Sequence, residues 1–148
     1  MAEWRGINPA DWAQETQDEM LAVFRQAVVL LAREMTRTRD DGGAMPKITG
    51  NLLRSILAQV NTRVQVSSAE DFAGSDVGAT VATALLGDTI FLGFQAAYAR
   101  RVNSGFVGED SLGRTFNQQG AGFVERAVNM WPQIVDRAIR EVRDGVGV

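Results

Sequence analysis

At 148 residues, 45% hydrophobic and 22% charged with 15 Gly and 3 Pro, the chain has the composition of a single globular domain and is too short for two. It contains no cysteine and no histidine, which excludes Cys–His and Ser–His catalytic pairs, thiolate or imidazole metal sites and disulfides. A net charge of −3 and a pI near 5.0 lack the basic excess of a general nucleic-acid binder.

No uncharged apolar run approaches the ~20 residues that span a bilayer. Met1-Ala2-Glu3-Trp4-Arg5 has neither the basic start nor the apolar stretch of a signal peptide, so a cytoplasm-like compartment without a membrane partner is expected. Residues 1–8 read as an N-terminal arm. Asn8 and Pro9 open the first element, since Asn is a good N-cap and Pro at the first helical position gives up no needed hydrogen bond. Met20, Phe24, Ala27, Leu31 and Met35 recur at helical spacing, widened by Val23, Val28 and Leu30, which predicts a long helix burying one broad face. Acids cluster toward its start (Asp11, Glu15, Asp18, Glu19) and Arg25, Arg33 and Arg37 toward its end, matching the helix dipole. Asp40-Asp41-Gly42-Gly43 is expected to stop it.

Thr49-Gly50-Asn51-Leu52-Leu53-Arg54-Ser55-Ile56 reads as a two-turn helix capped by Thr49 or Asn51, with Leu52, Leu53 and Ile56 facing inward. From Gln59 the period shortens to two: Val60, Thr62, Val64 and Val66 alternate with polar residues, the pattern of a half-buried strand. Val77, Ala79, Val81, Thr83 and Leu85 alternate again, and after a Gly87-Asp88 turn Thr89–Phe94 reads as a central strand. Three strands with short links imply an antiparallel meander. Residues 96–102 predict one or two helical turns, broken at Asn103-Ser104-Gly105.

Residues 105–120 form a glycine-rich stretch without clear period, expected to be an extended loop; loops beyond ~12–15 residues are usually functional or disordered, and its aromatics argue against disorder. Phe123, Val124, Val128, Trp131, Val135, Ile139 and Val142 predict a closing helix, with Phe123 and Trp131 in the core and a kink or break near Asn129–Trp131 imposed by Pro132. Residues 144–148 read as a flexible tail. The fold class expected is α+β in one domain, 1–148: a long N-terminal helix, a three- to four-stranded antiparallel sheet and a C-terminal helix packed on it.

The acidic pairs Asp40-Asp41, Glu70-Asp71 and Glu109-Asp110 lack calcium-loop spacing and read as solvated surface. The hydroxyls of Ser104 and Thr49 have only Lys47 as a candidate base, so no catalytic residue, metal or cofactor is assigned. The glycine-rich stretch lacks the phosphate-loop pattern. Arg100, Arg101 and Arg114 could form a small anion or partner site, against simple ion pairing with Glu109 or Asp110. Trp4 and Trp12, two large aromatics in an N-terminal arm ahead of the main helix stripe, suit contacts with another subunit, where Trp is a frequent anchor. Together with Phe106 and Phe116 these are the candidate assembly residues.

Three segments then fall in order. Pro46-Lys47-Ile48-Thr49-Gly50-Asn51-Leu52-Leu53-Arg54-Ser55-Ile56 resembles the Pro-x-x-Thr-Gly-x-Leu-x-x-Ser-Ile segment of the tail-completion, or neck, proteins of long-tailed bacteriophages. Ala97-Tyr98-Ala99-Arg100-Arg101-Val102-Asn103-Ser104-Gly105-Phe106 is similar to that family's Tyr-Ala-x-x-Val-x-x-Gly segment. Residues 108–120, followed by Phe123-Val124, Ala127 and Trp131-Pro132, resemble a subset with a longer loop. The resemblance covers residues 10–143, departing at Ala97, where many members carry Pro, and at Asn103-Ser104, where many carry an acidic or aromatic residue.

The resemblance implies a non-enzymatic virion protein forming a homo-oligomeric ring, expected to be six-fold, at the head–tail junction. Its partners would be further copies of itself, the portal-side connector or head-completion protein, and the tail tube or tail terminator. Genomic DNA would pass through without sequence-specific binding, and the protein would reside in host cytoplasm before assembly. Thr49, Gly50, Leu53, Ser55, Ile56, Tyr98 and Gly105 would hold the fold motif. A tail terminator capping the tube is the alternative within the same fold. A carboxylate-dependent enzyme and a monomeric binding module are the alternatives from other classes.

Overall fold

The computed structural model describes residue 6, residues 8–109 and residues 111–145, except for the side chain of Phe116. Helix α1 spans Pro9–Met35. Asn8 caps it as expected, its side-chain oxygen accepting from Ala10 N at 3.0 Å, with Pro9 in the first turn where a missing N–H costs nothing. The helix stops earlier than Asp40–Gly43. The Thr36 hydroxyl donates to the Ala32 carbonyl at 2.9 Å, and residues 36–45 form a separate turn containing the 3-10 helix Arg39–Asp41. Met45 N donates to Arg37 O at 3.1 Å, folding that turn back so that Met45 is fully buried.

The predicted two-turn helix is a single turn, α2, Asn51–Arg54. Strand β1 follows at once, Ile56–Val60, so Ile56 is a strand residue, and of the expected alternating strand only Gln59 and Val60 are in one, residues 61–66 being outside it. Asn61 adopts φ +61° and turns the chain, its side chain donating to Asp88 Oδ1 at 3.0 Å and accepting from Thr89 N at 2.9 Å. Val77–Val81, expected as a strand, is helix α3, capped by Asp76 accepting from Ala79 N at 3.0 Å. Strand β2 is Ile90–Phe94, within the expected span. It pairs antiparallel with β1 from Ile56↔Phe94 to Val60↔Ile90.

Helix α4, Ala99–Ser104, starts later than the expected residue 96 and runs through Asn103 and Ser104, stopping only at Gly105. The expected loop is instead a β-hairpin: β3, Gly105–Glu109, pairs with β4, Thr115–Gln119. The architecture is α+β, with two separate two-stranded antiparallel sheets among the described residues in place of one meander. The closing helix is broken where Pro132 requires, into α5, Phe123–Asn129, and α6, Trp131–Arg143.

Helix α6 runs antiparallel to α1. Arg126, just before it, meets Glu34 at 3.0 Å, Gln26 donates to Glu141 at 2.6 Å, and Arg143 meets Glu19 at 3.5 Å. Between these contacts Ala27 and Leu30 bury against Ile134 and Ala138. The sheet is therefore met mainly by other elements: Val28, Val29 and Val81 pack on Ala58 of β1, and Phe123 of α5 meets Phe94 of β2 edge-on at 5.2 Å. Burying a side chain such as Phe123, 1% exposed, contributes about 1.5–3 kcal/mol.

Candidate functional site

The Thr49–Ile56 motif and the Tyr98 segment come together around Asn51. Gly50 takes φ +81°, a left-handed conformation that glycine adopts without strain, and this lets α2 start immediately. Asn51 is buried and its amide is fully used. Its Nδ2 donates to Glu70 O at 2.9 Å and to the Tyr98 hydroxyl at 3.1 Å, and its Oδ1 accepts from Phe72 N at 2.8 Å. Arg54 adds a bond from Nε to Phe72 O at 2.8 Å. The buried Ser55 hydroxyl bonds Leu52 O at 2.7 Å while Ser55 O accepts from Gln95 N at 2.9 Å. Leu53 is half-buried against the Met45–Phe123 cluster and Ile56 is buried. The motif is thus a clamp joining α2, the 67–76 connection and the segment before α4. Asn51 is its centre, a role that its candidacy as a cap did not reveal.

The β3–β4 hairpin has a fastened base. Ala121 N donates to Val102 O at 2.8 Å and Gly122 N to Asn103 O at 2.9 Å. The Asn103 side chain accepts from Val124 N at 3.0 Å and donates to Glu125 at 2.9 Å. Gly105 is obligatory at the hinge: φ is +84°, and a Cβ would lie 2.6 Å from Gln118 O. Beyond this base Val107 and Leu112 are 77% and 75% exposed. Arg100 and Arg101 are exposed at the foot of the hairpin, and the Arg101 guanidinium stands 4.4 Å over the Phe106 ring, a cation–π contact. Glu109 and Arg114 flank the hairpin turn. Trp4 and Asp110 lie outside the described residues, as does the Phe116 side chain.

A second exposed surface lies on α1. The stripe Val23, Ala27 and Leu30 that packs on α6 continues toward the helix start at the same helical phase as Met20, Thr16 and Trp12. Helix α6 ends opposite Glu19, so the stripe runs past its cover, leaving Met20 and Trp12 each 58% exposed. Among residues 9–20 only Thr16 is even half-buried. Beside them, Met20, Val23, Phe24, Trp131, Val135 and Ile139 line a largely apolar groove of about 420 Å³. Trp131, expected in the core, is 37% exposed because the helix break at Pro132 sets it on the groove rim.

Among the described residues, two carboxylates are shifted, and both belong to structural contacts. Hydrogen bonds from Asn61 and the Leu85 amide hold Asp88 below its ordinary 3.8. The bond from Gln26, with Arg137 also attracting the carboxylate, holds Glu141 below 4.5 against the opposing effect of burial. Among the described residues, no group of three or more acids is placed to hold a metal ion, and no helix is long and apolar enough to cross a membrane. Compared with protein-family models, curated proteins and solved structures, the chain matches none.

Proposed function

We propose that the chain is a structural subunit of the head–tail junction of a long-tailed phage or phage-derived particle. Copies join head to tail into a closed ring, six-fold as the family resemblance implies, between connector and tail tube. The ring seals the neck and passes DNA without reading its sequence; its work is mechanical rather than catalytic. The order and spacing of the three family-like segments support the choice of assembly.

The observation that supports the reading is the placement of two of the exposed apolar surfaces among the described residues, the α1 stripe and the hairpin. The hairpin and α4 adjoin the Met35 end of α1, where Met35, Phe94, Ala99 and Asn103 line one pocket. Trp12 lies 23 residues earlier on the same helix, about 35 Å away at 1.5 Å rise per residue. Two unlike patches at opposite ends cannot cover one another within a chain and suit a heterologous contact, which closes into a ring when the rotation allows.

The test uses DNA-filled heads and free tails from particles lacking the protein. Added protein is predicted to form a ring at the connector in electron micrographs and to restore head–tail joining. Binding to free tails alone would replace this reading with the tail terminator, and binding to neither would overturn it.

A further inference from the structure

We infer that the uncovered first half of α1 docks, through Trp12 and Met20, on the α4–hairpin surface of a second copy of this chain, with Asp11 and Glu15 facing Arg100 and Arg101. The inference rests on the ring reading and specifies its contact. The projecting segment is about 18 Å of helix at 1.5 Å per residue, exposed on all sides over residues 9–20 apart from Thr16. Isolated helices of this length are marginal in water, and the apolar stripe that stabilises the rest of α1 is here uncovered.

Charge identifies the occupant. Between Pro9 and Phe24 there is no basic residue, and Asp11 and Glu15 lie one turn apart beside Trp12. The surface at the other end of the molecule sets two adjacent exposed arginines at the foot of the hairpin, beside the half-buried Phe106 under Arg101. At that foot it is opposite in sign to the α1 segment and offers an aromatic face, the acidic Glu109 standing at the far end of β3. The separation of about 35 Å along α1 forbids the contact within one chain and requires it between copies. Arg101, held over Phe106, is preorganised for a carboxylate, so less side-chain freedom is lost on docking.

Charge reversal tests the pairing. D11R/E15R and R100E/R101E are each purified, checked for wild-type far-UV circular dichroism, and weighed by native mass spectrometry alone and with the phage connector. R100E alone, which leaves Arg101 on its ring, replaces the double variant if the latter does not fold. Each variant is expected to lose the ring, its dissociation constant rising about 100-fold or more from like-charge contact. An equimolar mixture of the two is expected to regain even-numbered rings of alternating subunits, because every interface then joins opposite charges. Rings of wild-type mass from either variant alone, or a mixture that stays dissociated, would overturn this pairing and leave the ring reading intact. Wild-type protein that never leaves the monomer mass under any of these conditions would instead overturn the ring reading.

Discussion

The Asn51 side chain donates to the Tyr98 hydroxyl at 3.1 Å, across 47 positions of sequence. This bond joins two of the three segments on which the family resemblance rests, with Asn51 at a position that the first motif leaves open: one segment supplies a buried amide, the other a partner for it. Asn51→Ala leaves the Phe72 amide and the Glu70 carbonyl without their partner. It is expected to destabilise the fold by about 2–4 kcal/mol, whereas Tyr98→Phe, which leaves the rest of the clamp in place, costs about 0.5–1.5 kcal/mol. Urea denaturation of both variants measures the difference; equal losses would mean that Tyr98, not Asn51, centres the clamp.

Phe123 anchors α5 against Phe94 and the Met45 cluster. Phe123→Ala is expected to cost about 3–5 kcal/mol, read as a fall in denaturation midpoint. A loss below about 1 kcal/mol would show that the site collapses around the missing ring.

Gly105→Ala places a Cβ 2.6 Å from Gln118 O and 2.7 Å from Gly120 N, at φ +84°. The hairpin must open at its base to accept it. Amide exchange across β3 and β4 is predicted to accelerate while that in α1 and α6 is unchanged, since the strain of about 1–3 kcal/mol is local. Uniform acceleration would instead mean that the hairpin folds as one unit with the helices.

Glu141 makes stability depend on acid. Its folded pKa lies below 4.5, first through the Gln26 bond, so its contribution is present above the unfolded value and is lost as pH falls through the folded one. The stability of wild type is predicted to fall from about pH 5 downward more steeply than that of Glu141→Gln, the two curves converging in acid. Parallel curves would show that the Gln26 bond does not favour the charged form.

The parts of the fold legible in the sequence were those with a local cause. Asn8-Pro9 marks a helix start by its own hydrogen-bonding chemistry, Pro132 breaks a helix because it lacks the N–H that the interior needs, and Thr89–Phe94 favours strand through Thr89, Ile90, Phe91 and Phe94, with Gly93 a poor helix former. Val77–Val81 was ambiguous because Val77 and Val81 share a face at spacing four in either a strand or a helix. The Asp76 cap and the exposed Ala79 decide for helix. The β3–β4 hairpin was hidden because its strands carry glycines and polar Asn117-Gln118-Gln119, so no alternation of apolar residues announces it. Of the candidate assembly residues, Arg100, Arg101, Phe106, Glu109 and Arg114 fall in one region because the hairpin folds back on α4. Trp12 falls at the opposite end, a separation that follows from the length of α1 and is not visible in residue types.

In the proposed ring the hairpin contacts a neighbouring copy. Replacing residues 106–118 by a short glycine linker is predicted to leave a folded chain that no longer joins heads to tails, measured as the yield of complete particles after complementation. Unimpaired joining would remove the hairpin from the interface.

The most direct measurement is the mass of the purified protein in solution across concentration, alone and with the head connector. Head-to-tail closure predicts a single closed multiple of the 16.1 kDa chain, in solution or only on the connector, with no open-ended series of larger species. A strict 16.1 kDa monomer, indifferent to connector and tail alike, would contradict the account.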